Sequence, residues 1–188
     1  MPHEDTTDEL ARGSRPSRGR ALDERHGGAL KSPRFSADKT PYKTNVGIQF
    51  RHEMGKDVHA PGFYIHIEPG ACFAGIGMWK PEAKVARQIR QRIHEKPSEW
   101  KKATKYKRFT SVWDEIADDE IPHLKRVPKE FDADFVYSDD LRLRTFIAGS
   151  KLTHREVISP DFDELLARRF TIGSDLNRFL CQAIGLGY

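Results

Sequence analysis

Between Asn45 and Trp79 the chain carries three short runs of period-two hydrophobicity in close succession, and this meander constrains the fold more than any other feature. From Asn45 to His52, Val46, Ile48 and Phe50 fall on one side and Gly47, Gln49 and Arg51 on the other, as in a half-buried strand. Gly62 to Glu68 repeats the pattern, with Phe63, Ile65 and Ile67 inward and Tyr64, His66 and Glu68 outward. Pro69-Gly70 then supplies turn chemistry, and Cys72 to Trp79 resumes the extended pattern with Cys72, Ala74, Ile76 and Met78 in one apolar row. Three antiparallel strands are expected. If Gly75 and Gly77 lie on the face of His66, they leave a depression flanked by Phe73 and Trp79. Glycines in a strand equally mark a bulge or close packing, and both readings stay open here.

The remainder reads as helices around that sheet. Pro81 suits the first turn of a helix, Val85, Ile89 and Ile93 recur at helical spacing, and Pro97 ends it, with Lys84, Arg87, Arg90 and Gln91 on its other face. A short helix or turn is expected near Ser98 to Thr104, a strand or loop near Arg108 to Trp113, and a loop through Pro122 and Pro128. Leu141 to Ala148 is β-like. Pro160 and Asp161 open a helix carrying Phe162, Leu165 and Leu166, and Ser174 is placed to cap a last one with Leu176, Phe179, Leu180, Ala183 and Ile184 as a core stripe. The fold class expected is α+β: a small antiparallel sheet packed with helices, with no internal repeat.

Composition sets the limits of that domain. Residues 1–31 hold six Lys/Arg and six Asp/Glu but no aromatic, Val or Ile, while all 19 aromatics follow. Such a segment buries too little apolar surface to offset its ordering entropy, so a disordered tail is expected over 1–31 and one α+β domain over 32–188. No apolar run approaches the roughly 20 residues that cross a bilayer, and no signal-peptide pattern opens the chain. Cys72 and Cys181 lack the spacing of a redox or zinc motif, so a cytoplasmic protein with reduced thiols is expected.

The densest chemistry precedes the first strand. Arg34-Phe35-Ser36-Ala37-Asp38-Lys39-Thr40-Pro41-Tyr42-Lys43-Thr44 crowds cations, an acid, hydroxyls and aromatics around one proline. Pro41 fixes its own φ and pushes Thr40 to an extended conformation, so the run is a turn or loop presenting Arg34, Asp38, Lys39, Tyr42 and Lys43. Folded over the face of Tyr64 and His66, its cations would suit a phosphate or carboxylate. Ion pairing of Asp38 with Arg34 or Lys43 is the purely structural reading of the same residues. Lys125 and Arg126, between Pro122 and Pro128, form a second cationic pair.

Arg34-Phe35-Ser36, the Asp38 to Lys43 run, Tyr64-Ile65-His66-Ile67-Glu68-Pro69-Gly70, Leu124-Lys125-Arg126 with Pro128, and Asn177-Arg178-Phe179-Leu180 together resemble the domain of unknown function 2461 family, over about residues 34 to 186. The resemblance implies a compact α+β domain and no assigned reaction. Family members carry an N-terminal helical segment with paired asparagines, a Trp-Phe pair and an Arg-Asp step; residues 1–31 carry none of these, and Glu130 stands where the family has glycine. The expectation is that the native N-terminal helices were lost through a wrong start or a frame change.

Function follows from these residues as expectation only. The leading reading is a soluble domain that binds an anionic ligand through Arg34, Asp38, Lys39, Tyr42, Lys43, Lys125 and Arg126, with His66 and Tyr64 as candidate acid–base groups; whether it is an enzyme is left open. No metal or cofactor is expected: His66 and Glu68 would need His123 or His154 as a distant third ligand. The alternatives are nucleic-acid binding through the segment 80–108, where eleven Lys/Arg face three acids and Trp100 and Tyr106 offer stacking rings, or a non-catalytic interaction module.

Overall fold

A computed structural model describes residues 44–51, 60–118 and 120–188. The expected tail over 1–31 and the motif residues Arg34, Asp38, Lys39, Tyr42 and Lys43 lie outside the described residues. Four strands, β1 (Val46–Arg51), β2 (Gly62–Ile67), β3 (Phe73–Met78) and β4 (Phe146–Lys151), form one antiparallel sheet in chain order. The first three follow the alternation in the sequence. The fourth lies later than the β-like stretch suggested, because Ser138–Leu141 forms a short helix instead.

Cross-strand partners share a face, so the register sorts the sheet into two sides. Phe50, Phe63, Ile76 and Ala148 make one row of the core side, with Ile48, Ile65, Ala74 and Ser150 beside it. The opposite side carries the rows Gly47–His66–Phe73–Lys151, Gln49–Tyr64–Gly75–Gly149 and Arg51–Gly62–Gly77–Ile147. Gly75 and Gly77 thus do share the face of His66.

Helices α1 (Ala83–Glu95), α2 (Pro97–Thr104), α3 (Lys107–Thr110), α4 (Ser138–Leu141), α5 (His154–Val157) and α6 (Phe162–Ala183) complete the described elements. The segment 108–113, expected as strand or loop, belongs largely to α3 and the turn after it. The expected break at Ser174 is absent: α6 runs through it, and the Ser174 hydroxyl donates to Thr171 O within the helix at 2.8 Å. Gly173 lies in this continuous stretch of α6. A Cβ there would stand 2.3 Å from Ile76 Cδ1 and 3.0 Å from Trp113 Nε1, so glycine is needed where the helix meets β3, not where it starts.

The core joins Ile76 and Met78 of β3, Ile89 and Ile93 of α1, Trp100 of α2, and Leu176, Phe179 and Leu180 of α6. Trp100 is fully buried, its indole N–H donating to Asp140 Oδ2 at 2.8 Å while Lys105 Nζ pairs with Oδ1 at 3.1 Å. Arg90, expected on the outer face of α1, is instead buried. Its guanidinium donates to Leu143 O at 2.6 Å, and burial lowers its pKa, with Glu130 opposing and Arg144 adding to the fall.

The two sheet edges differ. Beyond β4, Asp114 N–H donates to Gly149 O and Ala117 N–H to Ile147 O, so the 114–117 segment continues the backbone pairing. At β1 the apolar row is uncovered: Val46, Ile48 and Phe50 are 55, 40 and 51% exposed. The strand expected there as half-buried is instead exposed along its length, with Phe50 meeting the Phe170 ring of α6 edge-on at 6.3 Å.

Candidate functional site

Alternation places Tyr64, His66 and Glu68 on one face of the strand and its exit, and the fold joins them into a chain. The Tyr64 hydroxyl lies 3.1 Å from His66 Nδ1, His66 Nε2 lies 3.1 Å from Glu68 Oε2, and the Thr44 hydroxyl donates to Glu68 Oε1 at 3.2 Å. An ionised carboxylate only accepts hydrogen bonds, so Nε2 carries the imidazole proton opposite Glu68. In the neutral ring Nδ1 is then bare and accepts from the Tyr64 O–H.

His66 is only 2% exposed, and its burial has identifiable causes. The Phe73 ring, from the paired position on β3, stacks on the imidazole at 4.9 Å with the planes 19° apart. Gly47, the β1 partner of His66, has no side chain, and the Tyr64 hydroxyl fills that space. Burial also raises the Tyr64 pKa, so the phenol keeps its proton. Cys72 Sγ donates to Glu68 O at 3.1 Å and holds the turn that carries the carboxylate. The arrangement can pass a proton between the Tyr64 oxygen and Glu68 through one imidazole without moving the backbone.

The two glycines beyond Tyr64 differ in what they require. Gly77 is conformational: its φ is +114° and a Cβ would stand 2.0 Å from Phe146 O. Gly75 is under no such constraint: a Cβ there would stand 3.5 Å from Tyr64 Cβ, an ordinary contact.

The other sequence-derived candidates fall elsewhere or outside the described residues. Lys125 and Arg126 are exposed and follow Leu124, whose N–H donates to Arg142 O just before β4. His66 stands in the row of Lys151 at the opposite end of β4, about 16 Å away along a strand of that length. The fold therefore does not bring this pair to His66. Thr44, the last residue of the cationic motif, is described and bonds Glu68, the carboxylate that faces His66. Glu130 pairs with Arg87 of α1 at 3.2 Å.

Part of the basic segment 80–108 lines an open groove with α6. Adjoining hollows of about 450 and 500 Å³ share Arg92 and Gln182, where α1 and α2 meet α6. Arg92 is held by Glu99 at 2.7 Å and by Gln182, over the Phe179 ring. With Trp100 and Arg90 buried and Lys105 paired, that segment presents Tyr106 as its exposed aromatic. Among the described residues no three His, Cys, Asp or Glu side chains gather as a metal would need, and no helix is long and apolar enough to cross a membrane.

The sheet with a histidine chain on one side and helices on the other defines an α+β domain with a polar, partly buried face. The family model described as conserved hypothetical protein (DUF2461) matches residues 31–179, and the chain belongs to that family. No curated protein and no solved structure matches it.

Proposed function

We propose that this protein binds a small anionic molecule, carrying a phosphate or a carboxylate, on the polar face of its sheet, with His66 and Tyr64 as the acid–base groups that meet it. The observation that carries the reading is the chain Tyr64–His66–Glu68, since a histidine buried to this extent with both ring nitrogens bonded is an organised group and not a solvated one. Two further features support it. The motif of Arg34, Asp38, Lys39, Tyr42 and Lys43 ends at Thr44, which bonds Glu68, and Lys151 stands in the His66 row of the same face.

The test is a thermal-shift panel of sulfate, phosphorylated metabolites and organic acids on the wild type, Lys39→Ala and Lys43→Ala. A ligand at a hundred times its Kd adds about 2.7 kcal/mol to apparent stability, which such a scan detects. Stabilisation of the wild type that both variants lose is the expected result. A folded wild type that no anion stabilises overturns the reading.

A further inference from the structure

We infer that anion binding at this face is coupled to protonation of His66, with the Tyr64 hydroxyl as the element that changes role; this rests on the anion-binding reading above. In the neutral state the Tyr64 O–H is spent on Nδ1, because Glu68 requires the ring proton on Nε2. The phenol oxygen then offers only lone pairs to an approaching ligand, and these repel an anion. One proton taken from solvent onto Nδ1 reverses the bond: Nδ1–H donates to the phenol oxygen, and the Tyr64 hydrogen turns away from the ring. The hydroxyl becomes a donor, and the ring acquires a positive charge beneath it. Both changes favour an anion, and neither moves a heavy atom.

The surroundings of the imidazole suit this exchange. Glu68 faces it along β2 and stabilises the imidazolium, with Thr44 holding the second carboxylate oxygen. From β3 the neighbour is the apolar Phe73 ring, and from β1 it is Gly47, so among the described residues neither strand opposes the charge. Lys151 of β4 stands two strands away in the same row, separated from His66 by Phe73. The Tyr64 hydroxyl has its one hydrogen bond to Nδ1 and none to spare for another acceptor until the ring is protonated.

Sulfate is the probe, because it does not titrate over the range from about pH 5.5 to about pH 8.5 in which an imidazole changes charge. Calorimetric titration of the full chain in two buffers of different ionisation enthalpy measures the protons taken up. The expected result is uptake approaching one proton per sulfate at the alkaline end, with affinity falling up to tenfold per pH unit above the imidazole titration. Tyr64→Phe, which has no hydroxyl but leaves the imidazole, should weaken that dependence, and His66→Gln, which cannot titrate, should flatten it. Sulfate affinity that is equal at all pH values, without proton uptake, overturns the coupling and leaves the anion-binding reading standing. Absence of sulfate binding at any pH overturns the coupling, and silence of the whole anion panel on a folded wild type overturns the reading beneath it as well. If His66→Gln fails to fold, the two-buffer measurement on the wild type decides alone.

Discussion

The Tyr64 hydroxyl lies 2.7 Å from the position that a Cβ on Gly47 would occupy, so a glycine on one strand makes room for the polar group of its neighbour. That group is the one bonded to His66 Nδ1. The clash in Gly47→Ala falls on the far end of a side chain and not on backbone, so the ring tip moves while the sheet survives. Gly47→Ala should keep its unfolding midpoint within about 1 kcal/mol of wild type yet lose most of the pH dependence of sulfate binding. A retained profile would show that the hydroxyl does not govern it.

Gly77 and Gly75 lie two residues apart on the same face and should respond in opposite ways to alanine. At Gly77 the left-handed φ and the carbonyl of Phe146 both oppose a side chain, so Gly77→Ala should cost at least about 3 kcal/mol in urea unfolding. Gly75 meets Tyr64 at ordinary contact distance, and Gly75→Ala should be neutral or stabilise by up to about 1 kcal/mol through the unfolded chain.

Trp100 and Asp140 form the buried polar contact between α2 and α4. Trp100→Phe leaves a ring against Phe179 but removes the donor from a nearly buried carboxylate, with Lys105 remaining on the other oxygen. A loss of about 1–3 kcal/mol in denaturant unfolding is expected. An unchanged midpoint would mean that the indole N–H contributes nothing net.

Glu156 closes the capping box of α5 with Thr153 and also pairs with Arg169 of α6. Bonds from the Thr153 backbone and hydroxyl, and then Arg169, hold its carboxyl below the ordinary value of 4.5. A depressed folded pKa contributes stability above the unfolded value, and that contribution is lost as pH falls through the folded one. Thr153→Ala should therefore destabilise by about 1 kcal/mol at neutral pH and by less once the carboxyl is protonated. Urea midpoints at about pH 7 and about pH 3 check the difference.

The two thiols should separate by reactivity. Burial pushes Cys181 up to about 11, so at mildly alkaline pH it holds its proton inside the core. Cys72 is half-buried beside the turn. Iodoacetamide in the native state should label Cys72 first, and Cys181 only on unfolding, as read by peptide mass mapping. Prior labelling of Cys181 would contradict its burial.

Sequence alone determined the features that depend on near neighbours. Strand period placed Tyr64, His66 and Glu68 on one face and Ala74, Ile76 and Met78 on the other, because side-chain direction alternates with the backbone whatever surrounds it. The helical stripe through Leu176, Phe179 and Leu180 was legible for the same reason. Tertiary structure decided what depends on a second element. Arg90 and Trp100 read as surface and stacking residues, yet Leu143 O and Asp140 lie far along the chain and draw both inside. Ser174 has the chemistry of a cap, but in the fold its hydroxyl donates to Thr171 O inside the continuous helix α6. The exposure of Val46, Ile48 and Phe50 was likewise invisible, since alternation specifies which side chains share a face and not whether a helix covers it. The histidine chain needed both: local period aligned its members, and the pairing of β1, β2 and β3 put Gly47 and Phe73 around the ring so that its two nitrogens face fixed partners.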